Sequence, residues 1–524
     1  MPRVAQQPTV RPGTQKSSST SLAAPIGGLN ARDSVANMAP TDAVVLENWF
    51  PKTTSVDIRA GYTAWNTFTG ICQTVMVYSG VSATKVFSCV KNGSTYSIYD
   101  STSSGALSSA VVGGGGATVE ALTSARFDYQ SFGTTGGNYF VAVNGTDTPL
   151  QYDGTNWIAS AMTGLTTANL VSVGVFKRRL FFIQKNTLDM WYLPVDSITG
   201  ALARFNLGPL FKLGGTINSI VTVTDATEGN MEDYIGFLSS EGEILAYRGT
   251  DPSVAASWIL AAHFRIGRPV CTGNRTWCKV GTDAFVLCAD GVYPLRKAIQ
   301  ADNRSGGLAV SDKIRNLINS DVQSYGTLKG WQVLFHPTGA KLIVNVPTTE
   351  DLVSYQYVMN TQTGAWAKYT AWNAFNFEVA KDTLYMGGNG VTVKADSGST
   401  DGIDPIAFDA RQAYNYLGSR GRLKHVKMMR PILGLDQSIN LAIGVDTDYA
   451  ANFNSTSRTV TGGGTDVWGG IWDTTWSGSV EVSSKWYGII GDGHAIAPHI
   501  KGSTSGTVLS WSATDLIYES GGVL

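Results

Sequence analysis

The stretch Val86-Phe87-Ser88-Cys89-Val90-Lys91-Asn92-Gly93-Ser94-Thr95-Tyr96-Ser97-Ile98-Tyr99 reads as two β-strands about a tight turn. Asn and Gly at its centre tolerate the positive φ angles that a hairpin demands, and alternating apolar and aromatic residues flank them. Comparable turns recur at Asn144-Gly145, Lys185-Asn186, Glu241-Gly242, Asp290-Gly291, Thr338-Gly339 and Asn389-Gly390, at intervals of 52, 41, 56, 49, 48 and 51 residues. Four strands of about six residues plus their turns use up about 40 to 50 residues, the length of one propeller blade. Unrelated hairpins of a β-sandwich have no reason to keep such an interval. The sequence therefore predicts an all-β chain built on a β-propeller of about six to eight blades, with insertions between blades and a β-rich C-terminal domain.

Composition agrees with this class. Charged residues make up 15% of the 524 residues, Gly reaches 59, and the formal net charge is −1. Globular domains usually carry about 25% charged residues, so this surface suits contact with other subunits better than life as a free enzyme. A near-neutral chain is also no polyanion binder of the repressor kind. No apolar stretch approaches the roughly 20 residues that cross a bilayer, and the polar N-terminus lacks the apolar core of a signal peptide. Neither membrane insertion nor export by the usual route is expected.

Motifs for catalysis or metal binding do not emerge. Cys72, Cys89, Cys271, Cys278 and Cys288 are odd in number and lack a CxxC spacing, which reads as buried thiols rather than a zinc ribbon or a disulfide framework. His494 and His499 are five residues apart, so on a strand they face opposite sides and make a poor metal pair. The glycine run Gly113 to Gly116 is followed by no Lys-Ser or Lys-Thr and opens no helix, so it reads as a loop. The Ser-x-Asp-x-Gly-x-Thr-Trp box of propeller glycosidases is absent, and Asp153, Asp283, Asp290 and Asp396 sit where turns need Asp. No enzyme, no cofactor and no metal are expected.

Along the chain, residues 1–24 hold Arg3, Arg11 and Lys16 without an acid and read as a flexible basic arm. Residues 25–66 form a segment that joins the propeller, in which Pro40 and Asp42 are placed to start a short helix burying Val45, Leu46 and Trp49. The propeller itself spans 67–404. Two insertions interrupt it: 194–233, with acids Asp225, Glu228, Glu232 and Asp233, and 297–330, where Val310, Ile314, Leu317 and Ile318 share a helix face and Ser311 is placed as its cap. Residues 405–524 form the C-terminal β domain, which either stands alone or helps to close the ring. It holds the cluster Arg411, Arg420, Arg422, Lys424, Lys427 and Arg430, followed by Trp468, Trp472, Trp476, Trp486 and Trp511.

Two segments carry a resemblance. Gly27-Gly28-Leu29-Asn30-Ala31-Arg32-Asp33 through Ala43-Val44-Val45-Leu46-Glu47-Asn48-Trp49-Phe50-Pro51, ending in Arg59-Ala60-Gly61-Tyr62, resembles the tail nozzle (tail tubular protein B-like) family of short-tailed bacteriophages. Lys177-Arg178-Arg179-Leu180-Phe181-Phe182, then Leu188 to Pro194 and Leu213-Gly214-Gly215, is similar to a propeller strand and connection of the same proteins. The resemblance implies a non-enzymatic structural protein of the virion tail, made in the host bacterial cytoplasm and assembled as a homohexameric ring. Such a ring gives the genome its exit channel, retains packaged DNA, and docks a tail adaptor ring and fibres or spikes. Double-stranded DNA would pass through it without sequence specificity, and weak attraction is what a conduit needs, because each neutralised phosphate would slow sliding.

Subunits of such a ring meet head to tail through two different faces. The basic cluster is then either a subunit-interface element or part of the channel wall facing DNA, and the residues leave both open. A different class of function also fits: a glycan-binding propeller acting in host-surface attachment, since exposed Trp and Tyr stack on sugar faces. A glycan-binding assay separates it from a purely structural ring.

Overall fold

The computed structural model describes residues 17–523 apart from 82, 115–118, 228–229, 271–273, 301–308, 452 and 463–480. Almost every element is a strand, and among the described residues seven small sheets follow one another in a circle, their first strands side by side. Four are separate blades: 128–159, 170–206 and 217–265 with four strands each, and 277–294 with three. The remaining three, at 71–100, 332–369 and 376–395, belong to larger sheets. Six of the seven turns read from the sequence join the second and third strands of successive blades, and Gly93 and Asn186 take φ of 60° and 59° there. Thr338-Gly339 differs, because it joins the first and second strands of its blade; the equivalent turn is Glu350-Asp351.

Apolar runs such as Leu180-Phe181-Phe182-Ile183 hold the blades together. Successive side chains of a strand point to opposite faces. Leu180 and Phe182 therefore pack on Phe132 and Val141 of the blade before, while Phe181 and Ile183 pack on Phe237 and Leu245 of the blade after. The same handover repeats around the circle, from Phe87 against Phe140 to Leu238 against Val286 and Val333 near Leu287. Each such buried side chain contributes about 1.5–3 kcal/mol. Ion pairs span one joint as well: Lys177 reaches Asp233 and Arg179 reaches Asp251, both in the next blade.

The ring is closed by one strand, Tyr62–Ser79. Its first half pairs with Asn389–Ala395 of the last blade, and its second half pairs with Thr84–Asn92 of the first. It changes blades at Gly70, where φ is 115° and a Cβ would lie 2.5 Å from the Lys91 carbonyl oxygen. Closure thus comes from the N-terminal side of the propeller, and the C-terminal residues take no part in it.

Both chain ends build the second domain. Ser17–Ala23, Trp49–Pro51 and Val56–Ile58 join a sheet with Arg422–Leu435 and Leu509–Val523, and Asp42–Glu47 joins another with Ile406–Gln412, Ile439–Thr447 and Ile496–Thr504. The second of these is continuous with the 332–369 blade through Glu47 opposite Lys368, so the domains share one ten-stranded sheet. The basic-arm reading fails from Ser17 onward, since Ser17 to Ala23 pair with Glu519 to Ala513. Residues 1–16 lie outside the described residues.

Three local readings are corrected. Asp42–Glu47 is a strand rather than a helix. Its Val44 and Val45 favour extended backbone, its register against Arg411 and Ala410 buries Leu46, and Asp42 is bound by Asn30 and Lys313 instead of capping. The 194–233 region is no insertion, since it supplies strands Ala203–Asn206, Ile217–Thr227 and part of Asn230–Ser239. The helix of the 297–330 region runs Arg315–Tyr325 and buries Ile318, with Ile314 buried in the turn just before it, but Ser311 leaves it uncapped and accepts the Val292 N–H at 2.8 Å.

The joint between the domains is Arg59. Its guanidinium donates to Asn48 Oδ1, the carbonyls of Ala60 and Thr370, and both carboxylate oxygens of Asp401 at 2.8 and 2.6 Å. Neither side chain of this pair is more than 4% exposed. Gly61 follows it because a Cβ there would lie 1.8 Å from the Thr400 carbonyl oxygen. Arg59→Met should cost about 3–5 kcal/mol, since Asp401 stays buried and unpaired, and adding Asp401→Leu should recover part of that loss. Denaturant midpoints of the single and double variants check this; a larger loss in the double variant would refute it.

Candidate functional site

The basic residues at 411–430 do not form one patch. On Arg422–Leu435 successive side chains alternate between the two faces, which scatters them. Arg411 pairs with Asp446, Arg430 with Asp515 at 2.8 Å while lying over Trp486, and Lys427 with Glu519. Lys424 is buried and donates to the carbonyls of Ser419 and His494. Arg422 is exposed and makes no ion pair among the described residues. Arg420 makes none either. Its guanidinium lies 4.4 Å from the centre of the Tyr416 ring and donates to Asn37 Oδ1 at 2.7 Å, with no carboxylate partner among the described residues. The acids Asp225, Glu232 and Asp233 are likewise neutralised inside the chain, by Arg296, Arg248 and Lys177. Glu228 lies outside the described residues.

Arg420 borders an open pocket of about 410 Å³ in the second domain. Tyr414, Asn415 and Tyr416 form one wall, and 36–40 form the other. Tyr449 extends the aromatic wall, its ring 4.9 Å from that of Tyr414 and its hydroxyl against that of Tyr416. The Tyr416 hydroxyl also donates to the Ala36 carbonyl at 3.2 Å, tying the two walls together. Three residues around this pocket, Leu417, Asp448 and Tyr449, hold positive φ of 46°, 50° and 64°. Such strain costs about 1–3 kcal/mol each for residues other than Gly and concentrates at functional sites. Of this arrangement only Arg420 was identifiable from the sequence; Tyr414-x-Tyr416 close to Arg420 was the available signal.

The propeller axis holds a second, smaller cavity of about 210 Å³. Arg275 crosses it to Thr74 Oγ1 at 2.7 Å and to the Gln73 and Phe127 carbonyls, while Gln332 is tied to the backbone of Phe377. Glu378 accepts the Tyr129 hydroxyl, and burial lifts its carboxyl above the usual range despite that bond and Arg275 nearby. These polar groups are occupied by groups of other blades. Side chains that bond directly across the axis, Arg275 to Thr74 and Tyr129 to Glu378, leave no duplex-wide passage among the described residues.

His499 sits between two carboxylates. Nδ1 meets Asp446 at 2.9 Å and Nε2 meets Asp409 at 2.6 Å, so neither ring nitrogen is free to accept a proton from a nucleophile. Its ring stacks on Phe453 with centroids 3.9 Å apart. His494 lies apart from it, against Asp448 at 3.8 Å, so the two histidines are not brought together. Cys72, Cys89 and Cys288 are buried free thiols and Cys278 is half-buried, while Cys271 lies outside the described residues.

No protein-family model and no curated protein matches this chain. Among solved structures it is similar to BBS1N in complex with ARL6DN, at 11% identity and TM-score 0.39, over 64% of this chain and 98% of that one. The computationally designed Ika8 protein matches at 11% identity and TM-score 0.34, over 63% and 98%. The exo-β-1,3-galactanase from Phanerochaete chrysosporium with galactose matches at 9% identity and TM-score 0.23, over 74% and 95%. At such identities the likeness concerns the fold alone.

The chemistry must be read from the side chains, and His499 offers a direct check. Burial pulls its imidazolium down, but the hydrogen bonds and charges of Asp409 and Asp446 outweigh that and hold it above 6.5. Burial raises Asp409, yet His499 and Lys501 bring it below 3.8 overall. The His499 contribution is therefore complete below 6.5 and lost as pH rises through the raised value, whereas the Asp409 contribution is lost as pH falls below 3.8. Unfolding midpoints of the wild type should fall on the alkaline side of 6.5, and His499→Gln should flatten that decline; an unchanged slope would contradict the pairing.

Proposed function

We propose that this chain is a structural subunit of a phage tail ring of the nozzle type, acting as a homohexamer in the virion rather than as an enzyme. The observation that carries the reading is the position of the residues behind the family resemblance. Arg59-Ala60-Gly61-Tyr62 is the joint that closes the propeller and fastens it to the second domain. Gly27 to Asp33 dock on the helix region, where Lys313 donates to the Gly27 carbonyl at 2.9 Å and Asn316 to that of Ala31. Gly28 fits only because a Cβ there would lie 2.6 Å from the Trp366 backbone. Motif residues that fall on obligatory joints support a shared architecture better than matches in loose loops would.

Mechanically, the continuous sheet between the domains supports the same role, because a subunit of a pressurised conduit must keep its two faces at a set angle to close by rotation. A closed propeller axis means that the genome channel of such a ring lies between subunits. Internal pairing of most basic residues leaves little free cation to grip phosphates, which suits a duplex that must slide. An adaptor ring and fibres or spikes are the partners this role requires. The competing glycan-binding propeller draws little support from the axis, whose polar groups are already bonded.

Native mass spectrometry and electron micrographs of the purified chain, alone and mixed with tail partners, test the assignment. Rings of six copies with a central channel are expected. A chain that stays monomeric in both conditions would overturn it.

A further inference from the structure

We infer that the pocket between 36–40 and 414–420 is a binding site for a carboxylated saccharide. It sits in the second domain, and its argument is independent of ring assembly. Tyr416, half-buried, lines the pocket and Tyr449, 41% exposed, continues its rim, while the buried Tyr414 backs them; their ring edges and hydroxyls offer the mixed apolar and polar surface that a sugar with apolar C–H faces and polar edges can cover. Asn37 and Asn415 add amide groups that match sugar hydroxyls as donors or acceptors. Arg420 supplies the charge: it is held in place by Tyr416 and Asn37, yet it lacks a carboxylate partner among the described residues. A planar guanidinium so positioned takes a carboxylate through paired hydrogen bonds.

Size and backbone agree. The volume of about 410 Å³ lies within the range of small-ligand sites, whose usual span is about 300–1,000 Å³. Tyr449 holds φ of 64° beside the pocket and stays 41% exposed, and strained backbone of this kind concentrates at functional sites. An acidic peptide could also meet Arg420, but the aromatic walls carry hydroxyls and amides around them, which favours a ligand with polar groups along its whole edge.

Saturation-transfer NMR on the full chain with methyl glucuronide, methyl glucoside and a short acidic peptide tests the inference. Methyl glucuronide should bind with Kd of about 1 mM, and the neutral glucoside about tenfold more weakly. Arg420→Gln should weaken the glucuronide about tenfold, to the level of the glucoside, whereas Arg422→Gln, which removes an exposed charge outside the pocket, should leave it unchanged. Tyr449→Ala should weaken both sugars. Absence of transfer to either sugar, equal binding of the two, equal losses in the two arginine variants, or tighter binding of the peptide would each overturn the assignment.

Discussion

The five-fold donation of Arg59 is the constraint on which the rest of the molecule depends. Asn48, Ala60, Thr370 and Asp401 come from the N-terminal segment, the end of the sixth blade and the passage from the seventh blade into the second domain. Holding them on one guanidinium sets where Tyr62–Ser79 enters the propeller, and that strand belongs to the last and first blades at once. Arg is suited to this because its planar fork meets two carboxylate oxygens and still offers N–H groups to backbone carbonyls. The Tyr369 and Trp372 rings beside it cover the charge. A buried cation that reaches all these elements specifies their relative position even where apolar packing would tolerate a slip.

Around the ring, a different mechanism operates. Blades are held by strands buried on both faces, so adjacent residues such as Leu180 and Phe181 serve different neighbours. Each blade is thereby committed to two others, and the ring closes only when the last commitment is met by the strand from the N-terminal side. The axial cavity is a consequence. First strands approach closely enough for Arg275, just before the fifth blade, to bond across the axis to Thr74 and Phe127 at the first and second, which leaves a small chamber.

Charge is handled locally throughout. Lys313 with Asp42, Lys341 with Asp396 and Arg430 with Asp515 are pairs between distant parts of the chain. The remaining surface is near neutral and rich in hydroxyl and amide groups. Arg420, which has no carboxylate partner among the described residues, is held by Tyr416 and Asn37 at the edge of the tyrosine pocket.

Local chemistry was legible along the chain. Turn residues with positive φ at Gly93 and Asn186 and the apolar spacing of Ile314 and Ile318 depend on neighbours a few positions away, so they announce the blades and the helix directly. The same locality produced the errors: Asp42 has a capping residue's composition, but Asn30 and Lys313 had claimed its carboxylate. Thr338-Gly339 has a turn's composition without telling which strands it joins. By itself the sequence determined that this is an all-β chain of repeated hairpins with a motif at residues 59–62. Only the tertiary structure decided that residues from both halves of the chain form the second domain, that the basic run is scattered, and that Tyr414 and Tyr449 gather beside Tyr416 and Arg420, because such contacts join residues as far apart as the 342 positions between Arg59 and Asp401 and leave no local pattern behind.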